Sequence, residues 1–184
     1  RTPPARPRVS KVVLGTAYHC SSSLLFTLSH GIVNEIYFPH VDTPNTRDLQ
    51  FLITDGETFC HEERRDLLHK TEYPEPNALL YRLTNTDREG RYRLVKEIIV
   101  DPHSPVLLIQ TRLEILAAKL RGKLRLFALL APHMKGTGKT DSAGKSGFGG
   151  RQFFEVQSRA IELSSGFAPA FAQPTGCLRR STTW

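Results

Sequence analysis

The side chains able to do chemistry are scattered along this chain. Seven histidines are present, at His19, His30, His40, His61, His69, His103 and His133. No two of them stand at a ligand spacing backed by a second ligand pair, so no metal centre is predicted. His61-Glu62-Glu63 begins like a zinc-protease helix, but the position of the second histidine holds Arg65. Gly138-Lys139-Thr140 and Gly144-Lys145-Ser146 resemble the end of a phosphate loop. The leading glycine each would need is His133 in one case and Lys139 in the other. No Gly-x-Ser-x-Gly elbow offers a nucleophilic serine. Glu35, Asp42, Asp48 and Asp55 have the right type for paired-carboxylate chemistry. The turns around them give such acids an anchoring role instead, with Asp48 pairing with Arg47 or capping the next turn. No catalytic residue, metal ligand or cofactor is expected.

The elements that must carry these residues are strands. Apolar residues alternate over short runs at 24–28, 32–38, 49–54, 57–61, 79–84, 92–100, 106–115, 123–131, 153–157 and 160–163. Asp55-Gly56 is a hairpin signal, because both turn positions tolerate positive φ. Asp101-Pro102 and Ser104-Pro105 interrupt any ladder, since proline lacks an amide donor. Val41 to Pro44 and Asn45 to Asp48 read as successive turns, rich in side chains that bond their own backbone. Residues 135–150, dominated by Gly, Lys, Ser and Thr, read as an exposed loop. The pattern predicts an all-β antiparallel sandwich.

Composition narrows the class further. The chain has 184 residues, 39% of them hydrophobic and 23% charged, which is globular and large enough for a core without staples. No apolar run approaches the roughly 18 residues of a membrane-spanning helix. The net charge is +7, but it is unevenly placed. Residues 1–100 carry 13 Lys+Arg and 13 Asp+Glu, whereas residues 101–184 carry 12 and 5. The excess flanks the turn at Arg121-Gly122-Lys123 and lies in the Gly/Lys loop, without interleaved aromatics. No nucleic-acid partner is therefore expected. Cys20, Cys60 and Cys177 are odd in number and widely spaced. They read as reduced thiols of a cytoplasmic protein. The basic, Pro-rich start has no apolar stretch of a secretory signal.

One long stretch resembles a known family. It comprises Gly15-Thr16-Ala17-Tyr18, then Phe26 to Glu63, Tyr81 to Glu114 and Leu126 to Gly138, in that order. Together these blocks are similar to the N-terminal domain of bacterial glucoamylases and glucodextranases, of glycoside hydrolase family 15 type. The resemblance implies an antiparallel β-supersandwich of the galactose mutarotase-like kind over residues 12–165. A basic Pro-rich tail would precede it at 1–11 and a divergent tail would follow at 166–184. The departure after about Ser165 suggests a truncated or frame-shifted product.

In that family the domain precedes an α/α-barrel that carries the catalytic acids. The resemblance therefore implies a non-catalytic accessory domain, whose partner is that barrel, with an α-glucan as a further possible ligand. Tyr18, Tyr37, Asn45, Arg47 and Asp48 are expected to form a rim that meets the barrel or a sugar. The alternative is a carbohydrate-binding or aldose-epimerase-like module, for which His30 and Glu35 would have to converge.

Overall fold

The computed structural model describes residues 13–19 and 21–134, together with strands at 142–148, 151–158 and 161–165. The chain begins with β1 (Val13–Thr16), β2 (Leu25–Ser29), β3 (Ile32–Tyr37), β4 (Pro44–Thr54) and β5 (Cys60–Glu62). A single helical turn, α1 (Glu63–Asp66), leads to β6 (Leu67–Glu72), β7 (Tyr81–Asp87), β8 (Tyr92–Val100) and β9 (Leu107–Ile115). A 3₁₀ turn at Ala118–Leu120 then precedes β10 (Arg125–Pro132). Two layers result: a six-stranded sheet ordered β1-β2-β3-β4-β10, with β5 beside β4, and a four-stranded sheet ordered β6-β7-β8-β9. The strands β11 (Ser142–Phe148), β12 (Arg151–Ser158) and β13 (Ile161–Ser165) form a separate antiparallel sheet.

The alternation seen in the sequence is what joins the two layers. Phe26, Leu28, Val33 and Leu49 of the larger sheet pack with Tyr81, Leu83, Ile98 and Val100 of the smaller. Phe51 and Ile53 meet Leu67, Tyr92, Leu94 and Leu120 in a second cluster. Each such fully buried side chain contributes about 1.5–3 kcal/mol through its removal from water. Phe26 and Tyr81 meet edge-on, with centroids 5.5 Å apart, an arrangement the ring quadrupoles favour. Gly15 is required behind Phe26, because a Cβ there would fall 2.2 Å from the ring.

The all-β sandwich expectation holds, with local corrections. Asn45 to Asp48 lie inside β4 rather than in a turn. Pro44 is tolerated because it opens the strand, and Thr46 pairs with both Ile36 and Pro132. Residues 142–148 are a strand, not loop, since pairing with β12 overrides the weak strand preference of Gly, Ser and Lys. β1, β6 and α1 were not legible in the hydrophobic pattern. Cys60 is disulfide-bonded, which corrects the expectation of reduced thiols and removes that ground for a cytoplasmic location. Cys20, Cys177 and the expected tails at 1–11 and 166–184 lie outside the described residues. No helix among the described residues is long and apolar enough to cross a membrane.

Candidate functional site

Register shifts in three strand pairings shape the end of the larger sheet where the expected rim lies. Leu28 faces Val33 and Phe26 faces Ile36, so β3 holds one residue more than β2 over this stretch. The displaced backbone is not left unpaired: the Glu35 amide donates to the Thr27 hydroxyl at 3.1 Å. Ala131 faces Asp48 while Pro132 faces Thr46, which makes Arg47 the extra residue of β4. A bulge re-aims a side chain, and Arg47 is exposed within an otherwise largely buried strand.

The loop between these strands is braced from inside. The Phe38-Pro39 peptide is cis. The Phe38 amide donates to the Thr43 carbonyl at 3.1 Å, and the Thr43 amide to the His40 carbonyl at 3.0 Å. Asn45, only 1% exposed, donates through Nδ2 to the Phe38 carbonyl at 2.7 Å and to that of Thr43 at 3.4 Å. Its amide is committed to shaping the turn, while Val41 at the loop stands 63% exposed.

Of the other expected rim residues, Tyr37 donates its hydroxyl to the Glu35 carboxylate. That bond, then burial and the Glu35 charge, push the phenol up to about 12. Asp48 lies 3.6 Å from the Arg64 guanidinium. Burial raises its carboxyl above the usual range, against the pull of Arg64 and Arg47. Tyr18 is 79% exposed. The pairs Thr16–Leu25, Leu25–Tyr37 and Tyr37–Pro44 place it at the same sheet end as Tyr37. The structure thus gathers Tyr37, Arg47 and Asp48 with Glu35 and Arg64, makes Asn45 a brace, and sets Tyr18 on the neighbouring loop.

The other candidates are engaged elsewhere. His30, with φ at 49°, occupies the β2–β3 turn and contacts Ser29 at 3.2 Å. It sits at the opposite end of β3 from Tyr37, the partner of the Glu35 carboxylate, so no epimerase-like His–Glu pair forms. Asp55 caps its turn. Burial works against it, but the Thr58 hydroxyl and the amides of Glu57, Thr58 and Phe59 hold its carboxyl well below the usual range. Among the described residues no group of His, Cys, Asp and Glu could hold a metal ion.

A buried polar joint went unread in the sequence. On one edge of β4 the pairing passes from β3, last at Leu49, to β5, first at Leu52. The Phe51 amide falls in that gap and donates to Glu63 Oε2 at 3.0 Å. Glu63 Oε1 meets Lys96 Nζ at 2.6 Å, and Asn85 Nδ2 also donates to it. Lys96 and Asn85 both donate to the Gly31 carbonyl, at 2.7 and 2.8 Å. Gly31 needs its positive φ of 73°, and a Cβ there would lie 2.1 Å from Asn85 Oδ1. One signal was available: Lys96 shares the period-two face of Tyr92, Leu94 and Ile98.

Residues 2–184 match the family model described as glucodextranase, domain N. The chain belongs to that family. A glucoamylase from Clostridium sp. (strain G0005) is 35% identical over 125 residues, which are 68% of this chain and 18% of the relative. The crystal structure of a bacterial glucoamylase complexed with acarbose superposes with a TM-score of 0.76 at 29% identity, covering 81% of this chain and 22% of that one. This member of the domain N family therefore spans about a fifth of the length of each of these relatives.

Proposed function

We propose that this chain is the N-terminal accessory domain of a glucoamylase-like enzyme acting on α-glucans, and that it supports and docks a separate α/α-barrel catalytic domain. The observation that carries this reading is the extent of the similarity. Most of the sandwich matches a glucoamylase, but only over about a fifth of that enzyme. The rim suits docking better than bond cleavage. The Glu35 carboxylate is held by Tyr37 and that of Asp48 lies beside Arg64, so both acids are engaged by side chains of the sandwich itself. The braced loop with exposed Val41, the neighbouring Tyr18 and the bulge residue Arg47 present apolar and charged contacts on a preformed backbone, which lowers the ordering cost of association.

Purified chain incubated with a maltooligosaccharide should release glucose at the blank rate. Glucose production above blank that is lost on boiling would overturn the non-catalytic assignment.

A further inference from the structure

β5 is only three residues long and lies at the margin of its sheet, so what holds it decides whether it stays docked. Its middle residue, His61, reaches across to the smaller sheet. There Nδ1 lies 2.6 Å from the Tyr92 hydroxyl and 3.5 Å from Asp87 Oδ1. The same ring nitrogen thus has a hydroxyl donor and a carboxylate acceptor within reach, and its protonation selects between them. Neutral at Nδ1, the imidazole accepts from Tyr92. Protonated, it can only donate, to the Tyr92 oxygen or to the Asp87 carboxylate, and the carboxylate is the stronger acceptor of the two.

The rest of the cluster is fixed. Arg91 grips Asp87 through Nε at 2.6 Å and Nη2 at 3.0 Å. Its guanidinium lies 4.7 Å from the centroid of Phe59. Phe59 packs on the His61 ring at 4.5 Å. The charged and titratable groups acting on His61 are Asp87, Asp66, Arg91 and Glu89, besides the Tyr92 hydroxyl itself.

We propose that His61 is a proton-operated latch: protonation moves Nδ1 from the Tyr92 hydroxyl to the Asp87 carboxylate and loosens β5 from the sandwich. The change takes from the O–H of the buried Tyr92 the ring nitrogen that accepted it, and a buried donor without an acceptor is costly. Burial favours neutral His61, against the pull of Asp87, so the docked strand prefers the unprotonated ring. As the pH falls through the ordinary histidine range near 6.5, the opened strand takes up the proton first and opening becomes easier. β5 runs directly into Glu63, so an opened strand also slackens the buried joint.

The test is an NMR titration of the histidine rings in the full chain, with amide exchange of the β4–β5 ladder and the disulfide at Cys60 intact. His61 should titrate below the ordinary value. Protection factors for 60–62, corrected for intrinsic exchange, should fall on going from pH 7 to 5, by about tenfold per unit of displacement. Tyr92→Phe, which removes only the hydroxyl, should raise the His61 midpoint, and Asp87→Asn should lower it further. A His61 midpoint at or above the ordinary value, one unmoved by Tyr92→Phe, or protection indifferent to pH would overturn the latch.

Discussion

Glu63 Oε1 and Lys96 Nζ stand 2.6 Å apart at full burial, between the helical turn that follows β5 of the larger sheet and β8, an inner strand of the smaller. Each member also serves the backbone: Glu63 caps the Phe51 amide in the gap between β3 and β5, and Lys96 caps the Gly31 carbonyl. The pair thus satisfies one main-chain group left over by the change of partner along β4 and one in the β2–β3 turn.

Lys96→Met should therefore leave a buried, uncompensated carboxylate and cost about 3–5 kcal/mol in denaturant unfolding. Adding Glu63→Gln, which keeps an acceptor for the Phe51 amide, should recover part of that loss. A single-variant cost under about 1 kcal/mol would show that the pair is not needed for folding.

Gly15→Ala should destabilise the sandwich, because the new methyl carbon lands 2.2 Å from a Phe26 ring with no exposed surface into which to retreat. Overpacking of this kind costs about 1–3 kcal/mol, readable as a lower thermal midpoint. Gly90→Ala is a useful contrast. Nothing lies within 4 Å of a Cβ there, so its cost is confined to the positive φ of 69°.

The acid limb of stability should report Asp87. Burial tends to raise its carboxyl, but the Arg91 side chain and amide hold it below the ordinary range. The unfolded chain then takes up this proton first as the pH falls. The contribution is complete above about pH 4 and is lost as the pH drops towards the lower folded value. Asp87→Asn should flatten the decline of unfolding midpoint with falling pH in that window. An unchanged slope would contradict the Asp87–Arg91 assignment.

Tyr37 gives a spectroscopic check on the rim. Its phenol should ionise near pH 12, and Glu35→Gln should bring ionisation closer to the ordinary tyrosine value, because the bonded and charged acceptor is the first cause of the shift. Ultraviolet titration of wild type and variant measures both. Coincident curves would mean that the Glu35–Tyr37 bond does not persist in solution.

The sandwich was legible because burial on one face imposes period two, plainly so in Tyr81, Leu83 and in Tyr92, Leu94, Ile98. The rim was only partly legible. Asn45 to Asp48 carry turn-favouring side chains, yet they extend β4, since pairing to Ile36 and Pro132 outweighs local preference. The bulges at Glu35 and Arg47 depend on the stagger between strands far apart in sequence, which no single stretch encodes. The Glu63–Lys96 joint was missed for a similar reason. Its partners are 33 positions apart in the chain numbering, and a charged residue on a core face announces burial without naming what satisfies it.

Docking to a catalytic domain is tested most directly by co-elution. This chain, co-expressed with the part of the Clostridium glucoamylase that it does not match, should co-elute with it on size exclusion as a one-to-one complex. Substituting the rim through its exposed apolar residues, Tyr18→Ala with Val41→Ser, should separate the two while leaving the thermal midpoint of the sandwich in place. Two independent peaks for the unsubstituted pair, or co-elution indifferent to the rim substitutions, would contradict it.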